Sequence, residues 1–181
     1  MTMDSYSLNY LTDLYHKVYG QFSSAGIHPY PNIMLPQHYG KIVKQYSFST
    51  RSLPLFTELH KMWYFWNEST RSFTKIVPSD IGEMFSTISL AYWIMDDGYF
   101  DNYGRTKTII LCTESFSKIE CILLQSLLKD LGIKTTLKIR NKDKDLYRIR
   151  ISKTSIPIVR ELVKPYMHND FVYKLGFNYL K

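Results

Sequence analysis

Residues Leu90 to Gly98 read Leu-Ala-Tyr-Trp-Ile-Met-Asp-Asp-Gly, an apolar run that ends in two adjacent carboxylates and a glycine. Carboxylate and main-chain oxygens are what a hard divalent cation such as magnesium or manganese binds. The run itself predicts a helix, because Phe85, Ile88, Tyr92 and Met95 recur at the spacing of a helix packed against another helix. Asp96 and Asp97 then fall at the helix C-terminus, where the macrodipole is already negative and each anion is destabilised by up to ~1 kcal/mol. Gly98 stands where a left-handed residue ends a helix. A cation bound by Asp97 and the Gly98 main chain would turn that liability into a site; a helix cap with two solvated acids is the alternative.

The elements that position these groups are read from local patterns. Tyr99 to Thr113 alternates as a hairpin turning near Asn102 to Gly104, and Ser115 to Leu131 carries the apolar spacing of an amphipathic helix, with Ser115 as N-cap and Gly132 as stop. Thr135 to Arg140 and Leu146 to Ser152 flank a charged turn as a second hairpin; Ile156 to Tyr166 and Phe171 to Leu180 supply closing helices. On the second hairpin Thr136, Lys138 and Arg140 share one strand face, as do Arg148, Arg150 and Ser152. With Tyr99, Asn102, Arg105 and Lys107 from the first hairpin, they form a basic sheet face suited to phosphate and base-edge contacts in a nucleic-acid groove. Charge placement agrees. Residues 1–99 carry 7 Lys/Arg against 8 Asp/Glu and residues 100–181 carry 16 against 8, so the whole basic excess lies after the motif.

The stretch from Leu90 resembles the LAGLIDADG motif of homing endonucleases and intron maturases, matching at Leu90, Ala91, Ile94, Asp97 and Gly98. The resemblance extends through Lys-Ile-Val-Pro-Ser-Asp (75–80) and Lys-Pro-Tyr-Met-His (164–168) and covers most of the chain. It implies an α+β fold, with residues 85–181 a complete αββαββα half-domain. It also implies that Asp97 holds the catalytic magnesium or manganese and that Lys153 matches a basic residue near the metals, there to polarise water or steady phosphate. A lysine shielding a strand end is the other reading of Lys153. In the family, two motif helices pack together so that one acid from each meets between the strands of the cleaved duplex.

A partial copy precedes the motif. Residues 48–59 align without a gap to residues 151–162 with five identities, and Gly26-Ile27 aligns with Gly132-Ile133. Residues 1–84 are therefore expected to be a partial first half-domain, related to the second by pseudo-twofold symmetry. The same offsets put the counterpart of Asp97 ahead of Met1, so the first motif helix and first hairpin are expected from an upstream segment, a dimer mate or a complementary N-terminal fragment.

Cys112 and Cys121 lack metal-ligand spacing and read as core thiols in a reducing compartment. The histidines at 16, 28, 38, 60 and 168 contain no pair at helical ligand spacing and read as structural. Trp63, Tyr64, Phe65 and Trp66 are too dense for one helix face, and an interface with the other half is the expectation. No apolar run approaches the ~20 residues of a membrane span, so no membrane partner is expected. With no Arg before Arg51 the chain is unlike an imported precursor, and a mitochondrion or other organelle that makes the protein itself is the expected location. The reading is thus an intron-encoded, metal-dependent endonuclease for a double-stranded DNA target. An RNA-binding intron maturase, or a truncated or split product inactive alone, is the alternative.

Overall fold

The computed structural model describes residues 8–23, 25–103 and 106–177, together with the main chain of residues 2–4. Gly104 and Arg105, and the end of the closing segment expected to reach Leu180, lie outside the described residues. The chain divides into two compact units, Met1–Thr57 and Glu58–Lys181. That division does not coincide with the boundary at 84/85 expected from the repeat, because residues 58–84 pack with the C-terminal part of the chain.

In the second unit each element begins and ends where its residues allow. After the short helix α3 (Ile81–Met84), helix α4 (Thr87–Asp97) is opened by a capping box in which Ser86 and Ser89 each accept from the other's main-chain N–H. Strands β6 (Gly98–Asp101) and β7 (Thr108–Cys112) form the first hairpin. Helix α5 (Lys118–Asp130) starts from Ser117 rather than the expected Ser115. Glu120, three residues on, accepts from the Ser117 N–H and hydroxyl and, at 2.7 Å, from the Val77 N–H. The helix stops at Gly132, whose φ of +77° and whose N–H to the Lys129 carbonyl, with Ile133 N–H to Leu128, close a left-handed C-terminal turn. Strands β8 (Thr135–Asn141) and β9 (Leu146–Ile151) form the second hairpin, and α6 (Ile156–Val163) with a 3₁₀ helix (Asn169–Leu175) closes the unit. The order from α4 is αββαββα, and the four antiparallel strands run β6-β7-β9-β8. One sheet face carries Ile109, Leu111, Ile149 and Ile151 into a core shared with Leu90, Ile94, Leu128, Ile156, Val159 and Val163.

Three local expectations change. The inward arc of α4 is Leu90, Ala91, Ile94 and Met95, whereas Ile88 is 47% exposed and Phe85 precedes the helix. A helix covered by both the sheet and α6 buries a broader arc than a single packing stripe. Gly98 is extended (φ −95°, ψ 155°), not left-handed. Its need for glycine is steric, since a Cβ there would stand 2.6 Å from the Ile94 carbonyl oxygen. The aromatic run also reads differently: Trp63 ends helix α2 (Pro54–Trp63), and Tyr64 to Trp66 enter strand β4 (Tyr64–Asn67), paired with β5 (Ser72–Lys75). On this hairpin Trp66 meets Phe73 edge-on, and both remain exposed.

In the first unit, strands β1 (Thr2–Asp4), β2 (His28–Tyr30) and β3 (Gln45–Ser47) form an antiparallel sheet in the order β1-β3-β2. Helix α1 (Leu8–Leu14), continued by a π turn and a 3₁₀ turn to Phe22, buries Tyr10, Leu11 and Leu14 with Phe48. Strand, helix, strand, strand in this pairing is the arrangement of β7, α5, β8 and β9.

Candidate functional site

Asp96 and Asp97 stand exposed at the end of α4, while Met95 just before them is buried. The compensation that this acidic helix end requires comes from Lys174 on the 3₁₀ helix. Lys174, 9% exposed, donates through its ammonium to the Met95 carbonyl at 2.5 Å, one of the helix-end oxygens that α4 cannot satisfy itself. Burial pushes the Lys174 pKa below its ordinary value, although the charges of Asp96 and Asp97 pull it upward. The short helix is itself pinned. Arg160 donates through Nε and Nη2 to the Leu175 carbonyl at 3.0 and 2.9 Å, and Gly176 turns with φ +66° where a Cβ would strike the Phe100 ring. His168 adds a main-chain N–H to the Met95 sulfur at 3.3 Å.

Strand register sets where the residues of the two hairpins lie along the sheet. Gly98 pairs with Leu111 and Leu111 with Ile149, whereas Asp101 pairs with Thr108, whose hydroxyl donates to the Ile151 carbonyl. Lys153 is exposed in the 3₁₀ turn (Lys153–Ser155) that follows β9, past Ile151 and on the side of the register away from Gly98. Lys174 is a basic residue beside the acids that the sequence reading did not single out. A second lysine was also missed. Lys75, at the end of β5, lines a cavity of about 430 Å³ along α4 together with Trp63, Phe85, Trp93, Asp96 and Asp97. It opens the Lys-Ile-Val-Pro-Ser-Asp stretch, which was the available signal.

The outer sheet face carries the residues expected there, and many are already engaged. Arg148 donates to the Glu114 carboxylate and, at 3.0 Å, to the Tyr99 hydroxyl, with its guanidinium 5.5 Å from the Tyr99 ring. Burial raises the Glu114 pKa, but hydrogen bonding and charge from Arg148 outweigh it and hold the carboxyl below its ordinary value. Lys138, on one edge strand, pairs with Asp101 on the other at 3.3 Å, and Arg150 donates to Thr136 at 3.2 Å. A pair joining the two edges must cross β7 and β9, and Thr108 and Ile110 on that face of β7 are fully buried. Arg140 sits in a register shift between Ile139 and Asn141, so the alternation expected of β8 ends there and Ile139 is exposed. Lys107 is exposed, Asn102 half-buried, and Ser152 bonded to Thr154. Cys112 is half-buried on this face rather than in the core; burial pushes its thiol pKa up.

A family model described as the LAGLIDADG DNA endonuclease family matches residues 9–159. The chain belongs to that family. Among LAGLIDADG relatives, the cytochrome b mRNA maturase bI2 of Debaryomyces hansenii is 36% identical over 143 residues, covering 78% of this chain and 50% of the maturase. DNA endonuclease I-ChuI of Chlamydomonas applanata is 31% identical over 151 residues, covering 82% of this chain and 69% of that enzyme. This LAGLIDADG chain thus spans about half the length of the maturase it matches and more of the endonuclease. In structure it resembles the homing endonuclease I-WcaI, solved bound to its DNA recognition sequence, with a TM-score of 0.72 and 23% identity over 97% of this chain and 73% of that one. That likeness establishes the α+β LAGLIDADG fold.

Proposed function

We propose that this LAGLIDADG chain is a divalent-cation-dependent endonuclease for a specific double-stranded DNA site, encoded within an intron and working in the organelle that carries it. The observation that carries the reading is the exposed Asp97 at the end of α4, backed by the buried Lys174 and bordered by the cavity that Lys75 lines. Among the described residues no three His, Cys, Asp or Glu side chains gather into a cation cage. Magnesium does not need one, since it keeps several waters and is held by one or two carboxylates with substrate phosphate oxygens. Asp97 with the Gly98 main chain, and Asp96 beside them, fit that requirement; a cation bound there would activate water and neutralise charge on the scissile phosphate. Lys174 holds the two acids' charge in balance, and Lys75 offers a cation to a phosphate entering the cavity.

Asp97→Asn is expected to abolish cleavage of the DNA target in magnesium while leaving affinity for it nearly unchanged. Cleavage at the wild-type rate by a folded variant would remove Asp97 from the chemistry. The second reading, an RNA-binding intron maturase, is favoured by the kinship with bI2 and by a basic face whose cations are partly engaged within the protein. It predicts intron binding that survives Asp97→Asn, with no cleavage by either form.

A further inference from the structure

The segment from Leu14 to Thr57 contains no carboxylate at all, against four Lys/Arg and three His. Within it the 31–44 connection between β2 and β3 folds on itself. The Lys44 N–H donates to the Tyr30 carbonyl at 2.8 Å, and the Asn32 carbonyl accepts from the Leu35 N–H and, at 3.1 Å, from His38 Nδ1. A hollow of about 490 Å³ results, lined by Tyr30, Pro31, His38, Lys41, Ile42 and Lys44. Tyr30 is 61% and Ile42 84% exposed. No carboxylate among the described residues pairs with Lys41 or Lys44.

We propose that this hollow binds one unstacked nucleotide of a single-stranded nucleic acid, its base against Tyr30 and Ile42 and its phosphate on Lys41 and Lys44. A duplex keeps its bases stacked and presents only edges and phosphates, for which a flat cationic surface suffices. A hollow that offers an exposed aromatic ring, an exposed apolar side chain and two lysines is what a turned-out base and its phosphate need. With His38 Nδ1 committed to the Asn32 carbonyl, Nε2 is the ring nitrogen left to meet the base edge. The proposal rests on the preceding reading only in that the chain handles nucleic acid; it does not depend on Asp97.

The test uses the whole chain titrated into a short single-stranded RNA and the matching DNA, each with an internal 2-aminopurine. Wild type is expected to quench the fluorescence by stacking. Tyr30→Phe should keep the quench, and Tyr30→Ser should weaken binding on the order of 5- to 100-fold. Lys41→Gln and Lys44→Gln should each flatten the salt dependence by about 0.7 in log–log slope. Tighter RNA binding assigns the hollow to RNA, and equal binding to the base and phosphate that both strands share. Quenching and affinity unchanged in Tyr30→Ser would overturn the proposal, as would failure to bind any single strand. If Arg150→Ala still weakens duplex binding in that event, only the hollow is refuted. If no nucleic acid binds, the broader reading falls with it.

Discussion

Lys174 places an ammonium where two carboxylates and a helix dipole concentrate negative charge, and its depressed pKa has a measurable signature. A folded-state value below the ordinary 10.5 means that between the two values the unfolded chain binds more protons, so stability rises with pH across that window. Lys174→Met removes this contribution, and Asp96, Asp97 and Cys112 are the charged or titrating groups that face it. Denaturant unfolding at rising alkaline pH should therefore show wild type gaining on the variant toward pH 10.5; a constant difference would mean that the ammonium is not desolvated. Asp97 was legible in nine consecutive residues because helix, acids and glycine are local. Lys174 was not, because its partner is 79 positions away in the chain and a lysine in a Tyr-Lys-Leu-Gly turn carries no local sign of burial. Lys153 is the converse: alignment singles it out, whereas where it lies along the sheet follows from pairing register, which sequence does not display.

Two glycines flank elements of the site for different reasons, and substitution separates them. Gly132 needs a left-handed conformation, so Gly132→Ala should cost ~1–2 kcal/mol and Gly132→Asn less, since Asn tolerates that region. Gly98 has an ordinary extended backbone but no room for a Cβ against Ile94, so Ala and Asn should both destabilise by ~1–3 kcal/mol or more, with no rescue by Asn. Urea midpoints of the four variants check this, and equal recovery by Asn at both positions would refute the steric account. The αββαββα order was readable because alternation, helical periodicity and caps all agreed. The cap at Ser117 is marked by Glu120 three residues on, the spacing of a capping box, a partner that Ser115 lacks. The exposed aromatic hairpin of β4 and β5 was not readable, because four consecutive aromatic or apolar residues do not reveal that a helix ends at the first of them.

Across the molecule the basic excess overstates the cations available to a ligand. Lys138 is held by Asp101 and Arg148 by Glu114, so fewer counterions are released on binding than 16 Lys/Arg in residues 100–181 suggest. Asp101→Asn frees Lys138, and affinity for duplex DNA should rise at low salt with the slope of log affinity against log salt steeper by about 0.9. An unchanged slope would show that Lys138 does not reach a phosphate. Net charge by segment was visible in sequence; the pairing that spends it was not, since it joins opposite edges of a sheet. The repeat was visible in residues 48–59 and 151–162, and the strand order β1-β3-β2 beside β7-β9-β8 gives that alignment a spatial counterpart.

The Lys174 contact also bears on how such a gene drifts. An ammonium buried against a helix end loses its counter-charge when the acids are lost, and uncompensated buried charge is among the costlier lesions a fold can carry. Selection for folding therefore favours keeping at least one of Asp96 and Asp97 even in lineages that do not cut DNA. Loss of the acids together with Lys174, rather than of either alone, is the substitution pattern that such a lineage should leave among its descendants.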